Sequence, residues 1–193
     1  MKYNIIVAFS KNRGIGLKNR LPWNIPSDLK KFRKLTIGNG NNAVVMGKNT
    51  WNSLPVKYLK SRDNLILSRN LKIDTVYDTK QVKTFPDIET LEEHCSEKKY
   101  ECVWIIGGTQ IYKEFLESKK IDIENIYVTY IDCDFECDAF FPEIDVDIYC
   151  SVQQEPHNMD NMDNMDNMIE TMVSDSGCFN SFKIYDRIYR KKS

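Results

Sequence analysis

Four short apolar runs constrain this chain more than anything else in it. Tyr3–Phe9, Ala43–Met46, Asn64–Ser68 and Cys102–Ile106 are each of strand length and read as buried strands. Helical patterns or long connections separate them. The clearest helix lies in LPWNIPSDLKKFRKL, residues 21–35, where Asn24 is placed to cap and Pro26 suits the first helical position. Leu29, Phe32 and Leu35 then recur at helical spacing. Lys48–Leu54 reads as a short helix or turn stopped by Pro55, and Gln110–Leu116 as a helix. Asp87–Lys98 reads as a surface helix with Ile88, Leu91 and Cys95 inward and His94 among solvated charges. Residues 10–22 hold two glycines and several charges without a period and read as a loop; Asn39–Asn42 reads as a turn and Thr75–Tyr77 as a marginal strand. The last elements, Ile126–Ile131 and Phe179–Tyr189, are strands only. Strands alternating with helices, then strands alone, predict an α/β fold: a mostly parallel central sheet of about eight strands, helices on both faces, and an antiparallel C-terminal edge hairpin.

The 193 residues suit one domain, 1–193. A net charge of -1 gives no broad basic field for nucleic acid, and no apolar run is long enough for a signal-peptide core or a membrane span. The six cysteines lie scattered; Cys133 and Cys137 are the closest pair, but no histidine stands near them in sequence to complete a metal set. Reduced thiols in a cytoplasmic protein are the expected state. One segment falls outside the scheme. Residues 158–168 read NMDNMDNMDNM, a three-residue repeat that fits neither a strand face nor a sustained helix face. It reads as a low-complexity insertion in the loop before the last strand.

Asp28 is the odd member of the first helix. It lies four residues before Phe32 and seven before Leu35, so it shares the inward face. A carboxylate there is costly unless something pairs with it, although a first helical turn alone also favours an acid. Two strand-to-helix junctions add to this. In VVMGKNTW, residues 44–51, a glycine ends a buried strand beside Lys48 and the Thr50 hydroxyl. In WIIGGTQIY, residues 104–112, two glycines separate strand from helix. Neither is the six-residue dinucleotide fingerprint, but together they place amides at one sheet edge where a dinucleotide would bridge. Leu67, Ser68 and Arg69 form a third junction; Lys48 and Arg69 would suit an extra phosphate.

These blocks, with LKSRDNLILSR and YVTYIDCDFECDAFFPEI, resemble the eukaryotic dihydrofolate reductase family along nearly the whole chain. The resemblance implies hydride transfer from NADPH to C6 of dihydrofolate with a proton reaching N5, a step that serves one-carbon metabolism and thymidylate synthesis. Asp28 would bind the pteridine N3 and 2-amino group as the only ionisable side chain of its pocket, with Thr129 bonding it. Trp23 would orient the water that delivers the proton. Ile6, Val7, Leu29 and Phe32, with Leu54, Leu59 and Ile106, would wall the substrate; Arg62 would fork onto the carboxylate of its glutamate tail. On the cofactor side, Ala8, Ile15 and Gly16 would meet the nicotinamide. Gly47, Lys48, Thr50, Leu67, Ser68 and Arg69 would meet the adenosine and phosphates. Gly107, Gly108, Thr109, Gln110, Ile111 and Tyr112 would form the pyrophosphate turn and nicotinamide wall, Tyr112 also touching substrate.

In the same likeness, residues 10–22 match a lid over the nicotinamide, Asp138 bonds lid amides, and the last hairpin loop, which here carries the repeat, touches the lid and would alter its opening. The expected partner is a small molecule, dihydrofolate, with no metal, nucleic acid or membrane. The chain would be a monomer or a domain fused to thymidylate synthase. A pyrimidine reductase of riboflavin synthesis would share sheet and cofactor but gives no reason for Trp23, Asp28, Phe32 and Arg62 together. A non-catalytic binding module predicts decay at Asp28 or the glycine turns, and neither is decayed.

Overall fold

The computed structural model describes residues 1–56, 58–71, 81–152, 168–173 and 179–192. Its elements run β1 (Lys2–Ser10), β2 (Gly14–Gly16), α1 (Pro26–Ile37), β3 (Asn42–Gly47), α2 (Lys48–Ser53), β4 (Asp63–Leu67) and β5 (Val82–Phe85). Then follow α3 (Ile88–Lys98), β6 (Cys102–Gly107), α4 (Thr109–Leu116), β7 (Ile123–Ile131), β8 (Ala139–Phe140), β9 (Tyr149–Val152), β10 (Met168–Val173) and β11 (Phe179–Lys191). The main sheet has the order β10-β11-β7-β1-β6-β3-β4-β5, with β9 also on β11. From β7 to β5 every pairing is parallel; β11 is antiparallel to β7, β9 and β10. The expected α/β class, parallel centre and antiparallel edge are all present.

Period-2 alternation divides the sheet's side chains between two faces. Ile5, Val7, Val45, Leu65, Val103 and Ile105 pack in one cluster with Leu91 and Cys95 of α3 and Phe115 of α4. Ile6, Val44, Met46, Ile66 and Trp104 point the other way and meet Phe32 and Leu35 of α1 and Trp51 of α2. Helices therefore cover both faces, and continuous apolar runs are what a strand buried on both sides requires.

Several local expectations change. Asn24 does not cap α1: Ile25 is the N-cap residue and no side-chain cap bond forms. Within the expected loop 10–22, Gly14–Gly16 pairs with β8, a strand too short to show any period. The sequence pattern does not show β5, β8, β9 or β10, because they are short, partly polar or, for β10, adjacent to the repeat. His94 is not simply solvated. It is half-buried, its ring lies 5.1 Å from Phe85, and its Nε2 is 3.5 Å from the Tyr100 hydroxyl. The Thr75–Tyr77 strand lies outside the described residues, as do residues 158–167 of the repeat.

The described strands on either side of residues 158–167 share one edge of the sheet. Ile188 of β11 pairs with Tyr127 on one side and Val152 on the other; Ile184 pairs with Ile131 and Met168 in the same way. So β9 and β10 lie end to end on the edge of β11 opposite β7. A continuous strand pairing Val152 with Ile188 would bring residue 156 to Ile184, but Met168 arrives there, twelve residues later. In sequence the repeat leads into β10, whose first residue is its Met168, so β10 stands between it and β11, where the sequence reading placed it directly before the last strand. The β10–β11 connection is a separate segment, 174–178.

Candidate active site

A single cleft of about 1650 Å³ crosses the carboxyl ends of β1, β3, β4 and β6, where α1, α2 and α4 begin or pass. Crevices at this edge of a parallel sheet are built from strand ends and helix starts. On one wall α1 contributes Asp28, Leu29 and Phe32, joined by Ile6 and Val7 from β1 and by Trp23. Leu29 is 50% exposed, which follows from facing an open cleft rather than the core. Leu54, Leu59, Arg62 and Ile106 continue this wall. The other half holds Ala8, Ile15 and Gly16, then Gly47, Lys48 and Thr50, then Leu67, Ser68 and Arg69. Gly108, Thr109, Gln110, Ile111 and Tyr112 close the middle. Among the residues singled out from sequence, Thr129 and Gly107 stand behind the wall rather than on it.

Thr129 reaches the cleft through Asp28. Its hydroxyl donates to Asp28 Oδ1 at 2.6 Å, linking β7 to the first turn of α1. Strand pairing explains the meeting: Thr129 lies opposite Ala8 in the β1–β7 register, beneath the open end of β1. A cation stands behind the hydroxyl that bonds this acid. Lys31 Nζ donates to Thr129 Oγ1 at 2.7 Å and pairs with Asp186 of β11. Tyr112, buried, donates to the Ile6 carbonyl at 3.1 Å; burial first, then the Asp28 charge, push its phenol upward. Trp23 is buried, packs edge-on against Phe135 at 5.3 Å, and its indole Nε1 has no hydrogen-bond partner. A buried donor left open on a cleft wall fits a ligand or water bridging to it.

Arg62 is no loosely exposed loop arginine. It is buried, its Nη1 donates to Thr36 Oγ1, and its guanidinium lies 5.7 Å from the Phe32 ring. Burial and the neighbouring Arg33 push its ionisation down to about 10, so it remains charged at neutral pH, and its Nε is unpartnered. Asn64 holds this corner in place, donating to the carbonyls of Leu59 and Arg62 and accepting from the Leu59 amide. The sequence pattern places Asn64 only within a strand; an amide side chain at a strand start is the signal it offers.

The glycine turns leave no room for a side chain at Gly47 or Gly107. Gly107 has φ +111°, and a Cβ there would lie 2.9 Å from the Tyr112 ring. At Gly47 a Cβ would lie 2.9 Å from Ile111. Neither α2 nor α4 has a side-chain cap on its first amides. Uncapped amides, Lys48, Ser68 and Arg69 on one wall form a donor set suited to a phosphorylated dinucleotide. Over this half, Lys18 N donates to Asp138 Oδ2 at 2.8 Å and Asp138 N to the Gly16 carbonyl at 3.0 Å. Asp138 thus bonds the amide of the 10–22 segment as expected.

The dihydrofolate reductase family profile matches residues 2–174. A bifunctional dihydrofolate reductase-thymidylate synthase of Arabidopsis thaliana is 39% identical over 157 residues, 76% of this chain and 27% of its own length. The dihydrofolate reductase of Bos taurus is 38% identical over 79% of this chain and 85% of its own. That of Aedes albopictus is 33% identical over 97% of this chain and 98% of its own. The chain therefore spans less than a third of the bifunctional relatives and most or nearly all of the monofunctional ones.

Proposed function

Because this chain belongs to the dihydrofolate reductase family, we propose that its cleft reduces 7,8-dihydrofolate to tetrahydrofolate with NADPH. The observation that carries the reading is Asp28. It is a carboxylate bonded by Thr129, and it lines the same cleft as the Gly108 turn and the Lys48, Ser68 and Arg69 donors. The bound cofactor would supply the hydride delivered to C6 of the substrate.

The chain's own residues have four tasks in this reading. Asp28 accepts from N3–H and the 2-amino group of the pteridine, and its charge, held in a partly desolvated wall, raises the basicity of the ring. Trp23, with its open indole N–H, steadies the water that delivers a proton to N5. Leu29, Phe32, Ile6 and Ile106 exclude bulk water and keep the ring flat against the cofactor half. Arg62, pre-set by Thr36 and Asn64, receives the α-carboxylate of the glutamate tail as a planar bidentate donor. Lys48 and Arg69 favour the 2′-phosphorylated cofactor, and residues 10–22 act as the lid.

We also read the chain as one domain, in which 158–168 is an insertion; the interrupted register along β11 supports this. No helix of the described residues is long and apolar enough to cross a membrane. A cytoplasmic site, monomeric or as part of a thymidylate synthase fusion, belongs to the same proposal. The test is NADPH oxidation with dihydrofolate, wild type against Asp28→Asn. Turnover by the wild type and a large loss in the variant, with unchanged circular dichroism, support the reading; an inactive wild type rejects it.

A further inference from the structure

Behind Asp28 stands a side chain that the reaction as described does not use. Lys31 lies three residues after Asp28 on α1, so both project to neighbouring positions on the helix surface. Its ammonium donates to Thr129 Oγ1 at 2.7 Å and is paired with Asp186 on β11. Lys31 and Asp186 are 19% and 25% exposed, so this pair is shielded more than an ordinary surface ion pair.

The consequence follows from counting protons. A threonine hydroxyl has one proton and two lone pairs, whereas a lysine ammonium only donates. The Thr129 oxygen must therefore accept from Lys31, and its single proton is left for a carboxylate. Two carboxylate oxygens are in range: Asp28 Oδ1 at 2.6 Å and Asp186 Oδ1 at 3.5 Å. Because Asp186 already accepts from Lys31, it stands near the ammonium, while the hydroxyl turns to Asp28. We infer that Lys31 is a positioning residue for the reaction: it fixes the direction of the Thr129 hydroxyl so that the proton points at Asp28, and it places one positive charge a single hydroxyl away from the substrate-binding carboxylate, anchored by Asp186. This rests on the reading of Asp28 given above.

Lys31 on α1, Thr129 on β7, Asp186 on β11 and Tyr112 on α4 are among the groups around the Asp28 carboxylate. Only Lys31 is cationic among these four. Removing that charge makes the ionised form of the acid harder to hold. In Lys31→Met, kcat/KM for dihydrofolate falls on the order of tenfold, the scale of a charge-assisted hydrogen bond, and the acid limb of its pH profile moves to higher pH. Lys31→Arg restores both to within about twofold, since it keeps a donor-only cation.

Two further measurements separate positioning from packing. Lys31→Met in a Thr129→Val background has little added effect, because the hydroxyl it directs is gone. Dihydrofolate binding without cofactor, followed by tryptophan fluorescence, weakens in Lys31→Met in parallel with kcat/KM. An unmoved acid limb in Lys31→Met, or full additivity with Thr129→Val, overturns the inference. Full activity in Asp28→Asn instead overturns the reading of the cleft itself, so the two failures are distinguishable.

Discussion

Two aspartates of this molecule are held in nearly the same way and differ in what lies beyond them. Asp28 accepts from the Thr129 hydroxyl at 2.6 Å, and a base, Lys31, stands on the far side of that hydroxyl. Asp63, at the start of β4, accepts from the Tyr100 hydroxyl at 2.6 Å, with His94 Nε2 3.5 Å from the same oxygen. Each is an acid–hydroxyl–base chain joining a strand to a helix or its end. Asp28 lines the cleft at the carboxyl ends of the strands, whereas Asp63 belongs to the amino end of β4 and lines no part of it. The local grouping is therefore not what sets Asp28 apart. Position in the parallel sheet is, because strand carboxyl ends gather at a crevice and strand amino ends do not.

The sharpest way to break this comparison is to neutralise each acid without changing its shape. Asp28→Asn is expected to lower kcat/KM about a hundredfold or more, the scale of a group that acts on the reacting ring. Asp63→Asn is expected to leave it within about twofold, because surface-side changes away from the chemistry have small effects. Steady-state assays on both variants check this. Comparable losses in the two would mean that the amino-end cluster communicates with the cleft, through the adjacent Arg62, more strongly than its geometry suggests.

The hydroxyls provide a second comparison of intermediate size. Thr129→Val removes the donor to Asp28 and should reduce kcat/KM about tenfold with little change in melting temperature. Tyr100→Phe should do the reverse: turnover unchanged, stability lowered by about 1 kcal/mol for one lost hydrogen bond to a carboxylate that keeps some contact with water. Denaturant titration beside the turnover assay reads both. The two variants dissociate activity from stability only if the reading of the two clusters holds.

How much of this was visible in the chain depends on the kind of signal involved. The buried strands were legible because two covered faces require uninterrupted apolar runs such as Val44–Met46 and Val103–Ile105. Asp28 was legible as a polar intrusion on an apolar helix face. β5 was not, since the run Val82–Phe85 includes Lys83 and Thr84 and is half-buried at a sheet edge. Asn24 misled because capping residues are preferred and not required, and with Pro26 at the first helical position Asn24 stands one residue outside the cap. Lys31 was hidden in a Lys30–Lys31 pair of ordinary appearance. Its i,i+3 relation to Asp28 was present in the sequence, but its anchor, Asp186, lies 155 residues away and is brought near only by the β7–β11 pairing. Asn64 was missed for a related reason: its partners Leu59 and Arg62 are near in sequence, but only a turn at Ser61, with φ +66°, brings their carbonyls to it.

The smallest effect concerns the base of the second cluster. Burial, then the charges of Lys83 and Lys98, lower the ionisation of His94 below its ordinary value of 6.5, and Asp63 only partly offsets them. A histidine with a lower value in the folded state takes up its proton more readily when unfolded. The stability this contributes is fully present above about 6.5 and is lost as pH falls through the lower folded value. His94→Gln removes that titration while keeping a polar side chain against Phe85 and Tyr100. Its stability should fall less steeply than the wild type's between neutral pH and the acid side of the histidine range, with the two curves parallel above it. Urea midpoints measured across that range decide the matter. A steeper fall in the variant would mean that protonated His94 is stabilised by Asp63 through the Tyr100 hydroxyl, much as Lys31 is held one hydroxyl away from Asp28.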